Sequence, residues 1–172
     1  MTACELVSPQ STGSAPGPVD QSHYRRVLGS HPTGVVVITG RGPLGMSCSS
    51  LFSVSLTPPL VGFCPARSSK TWPRIRETGS FCVNILAAHH EHLARQFAGE
   101  DEHRFHDVAW SAGLTHMPLL REAVGWIECR IHAELDGGDH TIVLGEVLAL
   151  DAANERSALI FHHGSYGSFD GS

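Results

Sequence analysis

Apolar positions in this chain fall into short runs more often than into helical stripes. Val35-Val36-Val37-Ile38-Thr39 is five β-branched residues in succession, which crowd a helix and suit a buried strand. Ile127, Cys129, Ile131, Ala133 and Leu135 alternate with Glu128, Arg130, His132 and Glu134. That period of two predicts a strand with one wet face. The run from 141 to 150 is nearly all apolar and predicts a strand buried on both sides. Further strands are expected over 45–55, 60–64, 81–86 and 158–161, with Pro58-Pro59 ending the first of these.

Helical signals are fewer. Asp20 is a natural cap for a helix over 21–29, with Tyr24, Val27 and Leu28 on one face. A short helix is expected near 71–77, and Leu93, Ala94 and Phe97 place another over 89–98. Residues 101–122 read as mostly loop. Residues 1–19 are rich in Ser, Pro, Gly and Thr and read as a disordered tail, leaving one folded domain over 20–172. About seven strands punctuated by Gly and Pro turns predict a mainly β barrel rather than alternating βαβ units. No G-x-G-x-x-G is present, so a Rossmann dinucleotide site has no support.

Composition narrows the partners. The chain has 172 residues, 41% of them hydrophobic, which suffices for one real core. No segment approaches the ~20 uninterrupted apolar residues of a membrane span. The opening residues lack the basic and apolar regions of a secretory signal, so the expectation is a cytoplasmic protein. A net charge of −5 argues against nucleic acid as a partner but leaves an anionic cofactor open. Five cysteines, widely spaced and without C-x-x-C, read as reduced thiols. Twelve histidines cluster at 89, 90 and 92, at 103 and 106, and at 162 and 163. The H-E-x-x-H pattern is absent, so we read them as solvated and assign no metal site.

Three stretches carry candidate chemistry. Gly45-Met46-Ser47-Cys48-Ser49-Ser50 is poor core material. It suits either an exposed edge strand or a wall for a flat ligand with polar ring edges. Arg67-Ser68-Ser69-Lys70-Thr71 precedes a helix, where hydroxyls, N–H groups and Arg67 make either ordinary caps or a phosphate site. Gly138-Asp139-His140 is either a plain hairpin turn or a close approach for a ligand, with His140 as a hydrogen-bonding group.

Taken in order, these stretches resemble the flavin reductase family of two-component flavoprotein monooxygenases. The likeness runs from about Tyr24 to Phe169. It takes in Tyr24 to Gly29, Pro32-Thr33-Gly34-Val35 and the 45–50 stretch. Ser53-Val54-Ser55-Leu56-Thr57-Pro58-Pro59-Leu60 and Phe81 to Leu86 follow, then Gly138-Asp139-His140 and Phe161 to Tyr166. The resemblance implies a split β-barrel with Greek-key connections, acting as a homodimer with flavin in a groove partly formed by both subunits. It places Met46, Ser47, Cys48, Ser49 and Ser50 along the isoalloxazine ring. Ala66, Arg67, Ser68, Ser69 and Thr71 hold the phosphate end, and Arg67, Ser69 and Thr71 are our chosen phosphate ligands. Thr33, Gly34, Cys64 and Tyr166 join the cofactor-binding set. His140 is the residue expected to contact and orient the nicotinamide. Cys48 departs from the Ala, Val or Thr common in relatives, and the chain stops soon after Phe169.

The activity implied is hydride transfer from NADH or NADPH to FAD or FMN, with reduced flavin passed to a partner monooxygenase. No cluster of basic residues beside the G-D-H turn suggests a 2′-phosphate site, so NADH is expected. The rival readings are a non-catalytic flavin-binding module of the same fold and a metal- or haem-handling protein.

Overall fold

The computed structural model describes residues 17–99, 103–153 and 156–169. Most of the expected tail, residues 1–16, lies outside them. Helix α1 (Gln21–Gly29) begins where the sequence predicts, with the Asp20 carboxylate accepting the His23 N–H at 2.8 Å. No residue of α1 is buried.

Strands β1 (Thr33–Gly34) and β2 (Val36–Gly40) follow, then β3 (Leu44–Cys48), β4 (Phe52–Leu56) and β5 (Pro59–Phe63). The stretch expected as one strand over 45–55 is therefore two, and Pro59 opens a strand where Pro58-Pro59 was expected to end one. Helix α2 (Trp72–Arg76), β6 (Ser80–Ile85), a 3-10 turn over Ala88–His90 and α3 (Glu91–Ala98) come next. The segment read as loop over 101–122 holds two three-residue strands, β7 (Trp110–Ala112) and β8 (Pro118–Leu120). The long hairpin β9 (Gly125–Gly137) and β10 (His140–Ala152) precedes β11 (Leu159–His162) and β12 (Ser165–Ser168).

Seven of these strands form one antiparallel sheet in the order β3-β2-β6-β9-β10-β5-β4. Strands β3 and β4 occupy opposite edges, yet only Ser49, Ser50 and Leu51 separate them. Four Cα steps reach at most about 14 Å. Six spacings of a flat sheet would set the edges about 29 Å apart. The sheet therefore has to curl until its edges approach, which is the expected mainly β split barrel.

Strand β2 explains its own composition. Val36 and Ile38 join a cluster with Phe63, Trp72, Ile75, Phe81, Val83, Cys129 and Val143. Val35 and Val37 join a second cluster with Leu86, Leu93, Ala94, Phe97, Leu120 and Leu159. Both faces are covered, so unbroken β-branched sequence is what the position requires. Buried Asn84 ties the layers: its Oδ1 accepts the Leu120 N–H at 2.8 Å and its amide reaches Thr39 Oγ1 at 3.1 Å.

Two expectations of facing are corrected. Glu128, placed on the wet face of β9, is 0% exposed. Its carboxylate accepts the Leu114 N–H, the Thr115 N–H and the Thr115 hydroxyl at 2.8, 2.8 and 2.5 Å. The loop that folds over it supplies those donors, which repay the desolvation of a buried carboxylate. Strand β10, expected to be buried on both sides, buries only Val143 and Gly145, and Leu148 and Leu150 are exposed.

Candidate functional site

Met46, Ser47 and Cys48 at the end of β3, with Ser49 and Ser50 beyond it, line an open cavity of about 880 Å³. Cys64, Gly137, Asp139, His140 and Ile142 line it too, as do Tyr24 and Arg25 from α1. Because β3 is a sheet edge, no described strand pairs with its outer side. The edge-strand reading of this stretch holds, and the stretch also lines a cavity with backbone polar groups in reach.

The wall is latched at its far end. Ser50 Oγ accepts the Cys64 N–H at 2.9 Å and lies 3.1 Å from Cys48 Sγ. Burial, helped by the neighbouring Cys48, pushes the Cys64 thiol up from its ordinary value, so it stays protonated and uncharged. Both cysteines are unpaired.

His140 is set by a hairpin and a clamp. Gly138 has φ +77°, a left-handed conformation at the first position of a two-residue turn that favours glycine. The Arg67 N–H donates to the Asp139 carbonyl at 2.9 Å and the Thr141 N–H to the Pro65 carbonyl at 3.0 Å, with Ala66 bridged to His140. His140 lines the cavity from a doubly anchored backbone. Its Nδ1 lies 2.8 Å from Asp139 Oδ1, and this bond holds the Asp139 carboxyl below its usual range. A carboxylate on Nδ1 fixes the tautomer and leaves Nε2 for a ligand.

A second cleft, of about 410 Å³, shares Met46 and Ser47 with the first and is also lined by Ser68, Ser69, Lys70, Thr71, Arg74 and Arg104. Ser69 Oγ accepts the Trp72 N–H at 3.1 Å, so the first donor of α2 is already satisfied. Thr71 makes no capping bond and instead accepts from Arg104 Nη1 at 2.6 Å. The same nitrogen donates to the Gly45 carbonyl at 2.9 Å. A Cβ at Gly45 would stand 2.5 Å from the Phe97 ring, so only glycine lets β3 lie this close to α3.

Several expected residues are placed elsewhere. The Arg67 guanidinium pairs with exposed Asp136 at 2.9 Å and lines neither cavity. Thr33, Gly34 and Tyr166 belong to the separate sheet β1-β11-β12 and also line neither. Phe161 stands opposite both Thr33 and Tyr166, and Arg95 lies 4.9 Å from the Tyr166 ring centre. Lys70, Arg74 and Arg104 are the cations the sequence reading missed. Lys70 lay inside the chosen loop, whereas nothing around Arg104 marked it out.

The histidines are less uniform than expected. His90 is 4% exposed, not solvated, and its Nδ1 accepts the Ala87 N–H at 3.3 Å. Burial, then the neighbouring His89 and His92, push its pKa down to about 4. His89, His90 and Glu122 bring ligand-type atoms within 4.8 Å of one another. His89 Nε2 is engaged by Glu122 at 3.1 Å, and a metal on His90 Nδ1 would displace a backbone donor.

The flavin reductase like domain matches residues 28–170. A flavin reductase of Pseudomonas putida is 41% identical over 155 residues, covering 88% of this chain and 91% of that one. The reductase subunit of a flavin-dependent monooxygenase from Rhodococcus jostii is 36% identical over 151 residues, covering 86% and 77%. Among solved structures, the NADH:FAD oxidoreductase of Streptomyces globisporus, in complex with NAD and FAD fragments, superposes with a TM-score of 0.83. It is 38% identical, with 97% of this chain and 98% of that chain covered.

Proposed function

Because this chain belongs to the flavin reductase family, we propose that it is an NADH:flavin oxidoreductase that supplies reduced FAD or FMN to a partner monooxygenase. The observation carrying the reading is the cavity itself. Small residues from Ser47 to Ser50 form one wall, and the clamped His140 faces the same space.

The residues present fit a flavin. Ser47, Cys48, Ser49 and Ser50 are small enough to leave a planar ring room, and the unpaired strand edge offers N–H and C=O groups to its polar margins. When bound, flavin supplies the hydride acceptor and nicotinamide the donor. The chain's own part is to bind and orient. His140, its Nδ1 held by Asp139, would offer Nε2 to hold and orient the nicotinamide. The uncharged Cys64 thiol keeps that side of the wall neutral. Ser68, Ser69 and Thr71 line the adjoining cleft and would hold the flavin phosphate. The open mouth lets reduced flavin depart.

The reading includes a homodimer. Phe52 and Val54, each 42% exposed, and Leu56 at 89% lie on the edge strand β4, and Leu148 and Leu150 are exposed on β10. So much uncovered apolar surface favours a second copy as its cover. Thr33, Gly34 and Tyr166, which stand apart from this chain's cavities, are then available to the groove of the other subunit. No helix among the described residues is long and apolar enough to cross a membrane. A cytoplasmic location suits NADH as donor and four described cysteines that are all free.

The test is NADH oxidation by purified protein, followed by loss of the reduced nicotinamide absorbance, with FAD, FMN or no flavin added. Turnover that depends on free flavin is expected. Folded protein that turns over with neither flavin, with NADH or NADPH, would leave a binding module as the better account.

A further inference from the structure

We propose that Cys48 and Cys64 form a reversible disulfide under hydrogen peroxide, and that this bond closes the larger cavity to flavin. The inference rests on the reading that the cavity holds a flavin, and it concerns how that site is switched off.

The four described cysteines are free, and they fall into two kinds. Cys82 and Cys129 are 0% exposed in the core. Burial pushes both thiols up, Cys129 to about 12, which leaves them without a nucleophilic thiolate. Cys48 and Cys64 are only partly buried, and both line the cavity. They are the two described thiols that an oxidant in solution reaches.

Closure of the barrel also brings them together. Cys48 ends β3 and Cys64 directly follows β5, strands that do not pair with each other. Ser50 joins them. Its Oγ lies 3.1 Å from Cys48 Sγ and accepts the Cys64 N–H at 2.9 Å, and its own N–H reaches the same sulfur at 3.4 Å. One oxygen thus stands between the Cys48 sulfur and the Cys64 backbone. A disulfide needs its Cβ atoms about 3.8 Å apart. No ladder of backbone bonds fixes the spacing of β3 and β5. Exchanging the Ser50 contact for a covalent bond therefore asks for movement at one seam, not for the opening of a sheet. The bond would run from the Ser47 to Ser50 wall to Cys64 and draw two sides of the flavin space together.

The chemistry balances with one oxidant. A sulfur attacks one oxygen of the peroxide, so an S–O bond forms, the O–O bond breaks and hydroxide leaves to become water. Cys48 takes this step, because burial and its neighbour hold the Cys64 thiol protonated. The Cys64 sulfur then attacks the sulfenic acid on Cys48. An S–S bond forms, the S–O bond breaks, and the departing hydroxide takes up the Cys64 proton. Two thiols lose two electrons and two protons, and one peroxide becomes two waters. A thiol reductant reverses the bond by exchange. Free reduced flavin yields peroxide with dioxygen, so reduced flavin released with no oxygenase to take it would supply the brake.

The test uses the full chain, reduced, freed of reductant and exposed to hydrogen peroxide, with catalase ending the exposure. Blocking of free thiols and non-reducing peptide mapping should show a Cys48–Cys64 link. Flavin-dependent NADH oxidation should fall about tenfold or more, since misplacing a bound ring by an ångström is costly, and dithiothreitol should restore it. Oxidised FAD or FMN present during the exposure should slow the link. Cys48→Ser and Cys64→Ser, each compared with its own untreated activity, should show no loss that dithiothreitol recovers. Links to other cysteines alone, oxidation that stops at unlinked acids, or a mapped link that leaves activity and flavin affinity unchanged overturns the proposal. A link that abolishes binding of oxidised flavin in a protein without turnover would sustain the thiol pair and sink the reductase reading. Turnover indifferent to peroxide, with Cys48 and Cys64 still open to alkylation, would do the reverse.

Discussion

Ser50 Oγ accepts the backbone N–H of Cys64 at 2.9 Å, and through that bond the end of β3 is held against the end of β5. These strands sit near opposite edges of the sheet, so one hydroxyl helps to close the barrel where the ligand wall lies. Ser50→Ala should cost about 1–2 kcal/mol in denaturant unfolding, because a half-buried N–H loses its acceptor. It should also weaken flavin binding several-fold. Unchanged flavin affinity in a destabilised variant would show that the latch serves stability alone.

Replacing His140 tests the division of labour in the cavity. His140→Ala should raise the KM for NADH by about tenfold while moving the flavin KM much less, since one charge-assisted or neutral hydrogen bond to nicotinamide is lost. Asp139→Asn should have a smaller effect in the same direction, because it alters the tautomer rather than removing the ring. Equal losses for both substrates would refute the assignment.

Glu128 anchors the 113–115 loop through three accepted hydrogen bonds. Glu128→Ala should destabilise by about 3–5 kcal/mol, leaving buried donors unsatisfied beside a cavity. Glu128→Gln keeps the shape and one acceptor, and should cost less. Thermal unfolding of the two variants ranks them.

His90 predicts an acid limb. Its folded pKa, about 4, lies below the ordinary histidine value, so between about 6.5 and 4 the unfolded chain binds the extra proton. The stability contributed by neutral His90 is present in full above that window and is lost as pH falls through it. The slope is at most about 1.4 kcal/mol per pH unit. His90→Gln should flatten the stability profile between those pH values. A profile identical to the parent would mean that His90 titrates normally.

A second copy covering β4 should be sensitive to charge at Leu56, which is 89% exposed. Leu56→Asp should shift the protein from dimer to monomer in sedimentation velocity and depress flavin turnover with it. A monomeric parent, or a dimer unaffected by the change, would remove β4 from the interface.

How far the sequence could be read depended on the range of the interaction. The β2 run and the Asp20 cap are local signals, and both elements form where expected. The alternation in β9 located a strand correctly but misjudged Glu128, because periodicity separates two faces without saying what covers each. β7 and β8 were missed because three residues are too few for a period to register. The same segment hid Arg104, whose partners Gly45 and Thr71 are far away in the chain.

By itself the sequence determined the β-rich class, the buried strand β2, the glycine that admits a tight turn before His140, and the family likeness. These depend on backbone sterics and on residues close in the chain. Only the tertiary structure decided which of those stretches share a cavity. Curling the sheet brings Ser50 to Cys64 and His140 into the cavity lined by the end of β3, while Arg67 pairs with Asp136 and Arg104 reaches Gly45 and Thr71. Strand closure and ion pairing act between residues far apart in sequence, and no local pattern encodes which distant partner a side chain will meet.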